Sequence, residues 1–121
     1  MKFEIKLEPR TKKNSQQIII CKGRPMIIPS KLYKQYEKDC YWFMPKVETI
    51  DYPVNVKATY YMKTRRKVDL TNLHEALHDI LVKYKILVDD NSRIIVSTDG
   101  SRVLYDKENP RTIVEITKIK E

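Results

Sequence analysis

A ten-residue run in the middle of the chain sets the architecture. Val54, Val56, Ala58, Tyr60 and Met62 alternate with Asn55, Lys57, Thr59, Tyr61 and Lys63, the period-2 pattern of a strand with one buried and one wet face. Such a face needs a second layer to cover it. Residues 72–84 offer one, because Leu73, Leu77, Ile80, Leu81 and Tyr84 recur on one side of a helix. Asn72, with Glu75 three residues on, predicts an N-cap and capping box there.

The flanking chain adds strands and a second helix. Phe3, Ile5 and Leu7 alternate with Lys2, Glu4 and Lys6 until Pro9, which predicts a first strand. Residues 16–21 and 25–28 are apolar runs joined by Lys22-Gly23-Arg24, which predicts a hairpin with a cationic tip. Pro29-Ser30 marks a helix start, followed by Leu32, Tyr33, Tyr36, Cys40 and Phe43 at helical spacing until Pro45. Residues 94–96, 103–105 and 113–116 read as short closing strands. The expected fold is α+β, a single domain over residues 1–121 with a mixed sheet and two main helices packed against it.

Composition narrows the function. With 121 residues, 41% of them hydrophobic, the chain has material for one modest core and no second domain. Two glycines, Gly23 and Gly100, cannot build a Gly-rich phosphate loop, so no nucleotide cofactor is expected. No apolar stretch approaches a membrane span, and the charged N-terminal alternation is unlike a signal peptide. A cytoplasmic protein with reduced Cys21 and Cys40 is expected. The 24 Lys and Arg against 16 Asp and Glu, a net +8, point to a polyanionic partner.

Three constellations carry chemistry. Asp69, Glu75, Asp79, Asp89 and Asp90 concentrate acids in a basic chain. Like charges repel unless a cation offsets them, and an all-oxygen set favours Mg²⁺ or Mn²⁺. Their ordinary reading is a helix cap at Asp69 and a surface turn at Asp89-Asp90. His74-Glu75-Ala76-Leu77-His78 matches the H-E-x-x-H zinc motif. The longer form of that motif needs Gly where Leu81 stands and a third ligand where Tyr84 stands. A zinc metalloprotease is therefore the remote alternative, beside two histidines on a helix flank. Residues 1–46 hold 11 Lys and Arg against four acids. Lys12, Lys13 and Asn14 in the early loop and Lys22 and Arg24 at the hairpin tip are the expected DNA contacts, with Tyr33 and Tyr36 as packing residues. Arg65, Arg66 and Lys67 abut Asp69, which would put a bound phosphate beside a metal.

Asp69-Leu70-x-Asn72-Leu73, Asp79-x-Leu81 and Asp89-Asp90, with the Arg-Arg-Lys stretch just upstream, resemble the RusA family of Holliday junction resolvases. The early Pro9…Lys13-Asn14 loop and Ser30-x-x-Tyr33-x-x-Tyr36 fit the same pattern. The resemblance implies a homodimeric, Mg²⁺-dependent endonuclease of phage or prophage type, working in a bacterial cytoplasm. It would bind four-way DNA junctions by shape and nick two opposing strands. The family's metal-binding aspartates correspond to Asp69 and the downstream pair, chiefly Asp90. The family's Asp-Leu-Asp-Asn reads Asp69-Leu70-Thr71-Asn72 here, and Glu75 stands where a lysine is expected. Thr71 offers a neutral oxygen in place of a charged ligand, and Glu75 one turn on would return the acid. The catalytic set is thus expected to be Asp69, Asp89 and Asp90 with Glu75, and the metal set to include Thr71 and Asp79 as well. The alternative is a junction-binding protein with weak or lost cleavage.

Overall fold

In a computed structural model the structure describes residues 1–12 and 16–120, with backbone alone for Gln16, Gln17 and Pro29. The alternating run forms strand β4 (Val54–Met62), and its residues alternate between buried and half-buried as far as Tyr60. Val54, Val56, Ala58 and Tyr60 all lie in the core. The other strands of the main sheet are β1 (Lys2–Ile5), β5 (Ile95–Ser97), β6 (Arg102–Tyr105) and β7 (Arg111–Lys118). Strand β7 lies between β1 and β4, antiparallel to both. The opposite edge of β4 is shared: β5 pairs in parallel with Val54 and Asn55, and β6 in parallel with Thr59–Met62. The sheet is therefore mixed, as expected. A separate hairpin is made by β2 (Gln16–Cys21) and β3 (Arg24–Pro29).

Two helices complete the core. Helix α1 (Lys31–Asp39) starts at Ser30, whose hydroxyl accepts the Tyr33 N–H at 3.3 Å, and a 3₁₀ turn (Cys40–Phe43) extends it. Tyr33, Tyr36 and Cys40 are buried, whereas Leu32, expected on the apolar face, is 59% exposed. Helix α2 (Leu70–Lys83) buries Leu73, Ala76, Leu77, Ile80 and Leu81. Removal of each large side chain among them from water contributes ~2 kcal/mol.

Helix α2 is capped three residues earlier than its capping-box pattern predicts. Asp69 is the N-cap, and its carbonyl accepts the N–H groups of Asn72 and Leu73, both at 3.1 Å. Asn72 sits in the first turn, and its amide donates back to the Asp69 carboxylate at 3.4 Å. The earlier start thus satisfies two N–H groups that a cap at Asn72 would have left without those partners.

The end of α2 anchors the next segment of chain. Lys85 takes the left-handed conformation (φ 61°), and the N–H groups of Ile86 and Leu87 donate back to the Leu81 carbonyl at 2.9 and 3.2 Å. The reversed chain is clamped to Ile50, which donates to the Ile86 carbonyl at 2.9 Å and accepts from Val88 at 3.0 Å. Asp89 and Asp90 therefore emerge from a fixed stretch of backbone.

Candidate metal centre and nucleic-acid interface

The five acids fall into two groups along α2. Asp69 stands at the N-cap. Ten residues of helix separate it from Asp79, about 15 Å along the axis. Its side chain makes no cap hydrogen bond to the helix backbone, and among the described residues its exposed carboxylate meets the Asn72 amide alone.

Asp79 lies in the second half of the helix, and its charge is felt at Asp90 in the segment that follows. The Asp89 carboxylate accepts the Asp90 N–H at 2.7 Å, a tight turn that sets the two carboxyl groups beside each other. Asp90 is exposed overall, yet its carboxyl is raised above the ordinary range. Partial desolvation is the first cause, followed by a hydrogen bond to Asp89 and the negative charge of Asp79. Neighbouring acids of this kind favour any cation that can approach them.

One cation already does. The Lys12 ammonium is hydrogen-bonded and ion-paired to Asp79, and that bond is the main reason its own pKa is raised. Glu37 and Glu75 add to the effect. Lys12, expected as a phosphate contact, is thus held by a carboxylate on α2, because the loop that carries it is pinned by buried Pro9 and Thr11. Lys13 and Asn14, read as further DNA contacts, lie outside the described residues. Glu75 and Thr71 are exposed on the first turns of α2.

Among the described residues no group of three or more His, Cys, Asp and Glu side chains is close enough to hold a metal ion. The acids of the two flanking segments do not meet in one cluster. In donor chemistry, however, Asp89, Asp90 and Asp69 offer only carboxylate oxygens on exposed positions, a set that suits a hard cation such as Mg²⁺.

The histidines turn inward. The rings of His74 and His78 stack in parallel with centroids 5.5 Å apart. His74 Nδ1 is hydrogen-bonded to the Tyr60 hydroxyl at 2.7 Å, so that ring is engaged with β4. Burial lowers the pKa of both imidazoles, that of His78 to about 4. Their Nε2 atoms are buried without a hydrogen-bond partner among the described residues, as is the Tyr33 hydroxyl. No local sequence signal pairs Tyr60 with His74 or Lys12 with Asp79; both contacts follow from how the sheet and loop close over α2.

The basic segment ahead of α2 is exposed from Lys63 to Lys67. Arg65 lies over the Tyr105 ring, 4.2 Å from its centroid, a contact that holds the guanidinium in place. Arg66 and Lys67 share with Arg10 and Thr11 the wall of an open cavity of about 260 Å³. Lys22 and Arg24 flank the tip of the β2–β3 hairpin, both exposed. No helix among the described residues is long and apolar enough to cross a membrane.

Comparison with curated proteins finds no match. A family model described as Endodeoxyribonuclease RusA matches residues 4–117.

Proposed function

The chain belongs to the RusA family of endodeoxyribonucleases, which are Holliday junction resolvases, and from this premise we propose that it nicks four-way DNA junctions in pairs, as a Mg²⁺-dependent homodimer. Its setting would be a bacterial cytoplasm, with the gene carried by a phage or prophage. The observation that carries the reading is the exposed Asp89–Asp90 turn, which sets two carboxyl groups beside each other, in a chain of net charge +8.

Asp89 and Asp90 are the residues that would hold the cation, with Mn²⁺ as a substitute; Asp69, at the N-cap of α2, does not cluster with them. When bound, the cation lowers the pKa of the attacking water and offsets charge on the scissile phosphate. Lys12 offsets Asp79, leaving Asp89 and Asp90 as the acids of that segment without a cationic partner among the described residues. Arg66 and Lys67 line a cavity that suits a backbone phosphate, whereas Arg10 in the same wall is ion-paired to Glu8 at 3.0 Å. Arg65, steadied on Tyr105, would orient the strand next to Asp69. Lys22 and Arg24 at the hairpin tip would meet a second stretch of backbone. None of these groups reads bases, so preference for a junction would come from its shape.

A second reading, junction binding with weak or lost cleavage, has support of its own. Thr71 stands at a position where the family has an acid, and the acids flanking α2 are not gathered into one cluster. One assay separates the two: a labelled synthetic four-way junction, with and without Mg²⁺. The nuclease reading expects paired nicks that require Mg²⁺. A mobility shift without nicks favours the second reading, and the absence of binding overturns both.

A further inference from the structure

The β2–β3 hairpin is a sheet on its own, paired with no strand of the main sheet. Its turn is Lys22-Gly23, with φ of 52° and 78°, the left-handed pair that closes a two-residue hairpin. Cross-strand partners share a face, which puts Ile18 with Ile27 and Ile20 with Pro25 on one side, and Ile19 with Met26 on the other. Ile18, Ile20 and Ile27 are 75%, 79% and 66% exposed. A two-stranded hairpin alone in water is marginal, and a monomer rarely displays such a concentration of isoleucine.

Three features point to a second copy as the cover. Ile18 and Ile20, both more than 70% exposed on one face of β2, would gain cross-strand neighbours from the same residues of a second β2 added at that edge. The strands between the tip and Ser30 carry no charged residue at positions 16–21 or 25–29. Two chains of net charge +8 can therefore meet here without repulsion, whereas a DNA backbone would find no cation along the strands.

The third feature is an asymmetry of edges. The pair flanking the turn, Cys21–Arg24, exchanges hydrogen bonds, so Ile20–Pro25, Ile18–Ile27 and Gln16–Pro29 are the non-bonded pairs whose N–H groups point outward. Pro25 and Pro29 remove two of the three outward donors of β3, which blunts that edge. The outward N–H groups of Gln16, Ile18 and Ile20 leave the β2 edge open to another strand.

We propose that the β2–β3 hairpin is a dimerisation arm, through which two copies of this chain join along the open edge of β2 and set Ile18 and Ile20 against the same residues of the partner. The inference names the surface behind the two-copy part of the proposed function and rests on that part alone. A two-fold axis beside Ile18, the middle outward donor, makes the contact self-complementary.

The test is sedimentation equilibrium of the full chain without DNA, for wild type, for Ile18→Lys/Ile20→Lys, and for Ile18→Cys in a Cys21→Ser background. Wild type should have twice the chain mass. The double lysine variant should be monomeric, its dimer dissociation constant raised at least 100-fold, with an unchanged far-UV spectrum because neither side chain belongs to the core. The cysteine variant should form an interchain disulfide under mild oxidation, since Cys40 is buried. A monomeric wild type overturns the proposal together with the two-copy reading. A dimer that survives the two lysines overturns the arm and leaves the two-copy reading standing. A double variant that keeps the wild-type mass but loses junction binding overturns it in favour of a DNA-contacting arm. Nicking is scored separately, so its absence from a dimeric wild type counts against the nuclease reading only.

Discussion

Lowering the pH from about 7 to about 4 should cost this fold about 2 kcal/mol through His78 alone. Burial lowers the His78 pKa from 6.5 to about 4, the stacked His74 ring lowers it further, and Asp79 pulls the other way. In the unfolded chain the imidazole takes its proton near 6.5; in the folded chain it resists until about 4. The stabilisation is therefore complete above pH 6.5 and is lost as the pH falls through that window. A fall of this size corresponds to ~3 kcal/mol, and partial exposure of the ring to water reduces it to about 2. Urea unfolding near pH 7 and near pH 4, on wild type and on His78→Gln, isolates the contribution, since the variant keeps every other titrating group. Wild type should lose about 2 kcal/mol more than the variant. Equal losses by the two proteins would refute the argument.

Other consequences are smaller or concern DNA. Tyr60→Phe removes the hydroxyl that meets His74 Nδ1 at 2.7 Å and should cost ~1 kcal/mol; thermal unfolding reads it, and an unchanged midpoint would deny the bond a structural role. A double-mutant cycle of Lys12→Ala and Asp79→Ala should give a coupling of ~0.5–1 kcal/mol, because both side chains are about one-third exposed; strictly additive losses would count against the pair. Junction affinity should fall steeply with salt, and replacing Arg65, Arg66 and Lys67 together by Ala should lessen the log–log slope by ~2 to 3. A flat salt response in the wild type would remove the phosphate contacts from the account.

The parts of the fold that could be read from the sequence are those whose pattern is local. Strand β4 declares itself by alternation, α2 by Leu73, Leu77, Ile80 and Leu81, and the hairpin by a glycine between two isoleucine runs. Strand pairing was hidden, since β7 reaches both β1 and β4 across most of the chain and no side-chain period encodes a partner. Within the site, the acids and the Arg-Arg-Lys segment stand out because they break the local charge pattern. The partner of Lys12 did not: Asp79 lies 67 residues away, so the sequence offers a basic loop where the fold makes an ion pair. The H-E-x-x-H spacing correctly puts two imidazoles on one face of α2. It cannot tell that Tyr60 occupies one of them.

The central claim is that the Asp89–Asp90 turn carries the catalytic carboxylates of a Mg²⁺-dependent junction nuclease. Its most direct measurement is the rate of Mg²⁺-dependent nicking of a four-way junction by Asp90→Asn beside wild type, with junction affinity measured on the same preparations. The account predicts a loss on the order of 100-fold in nicking at unchanged affinity. Nicking by Asp90→Asn at the wild-type rate would contradict it.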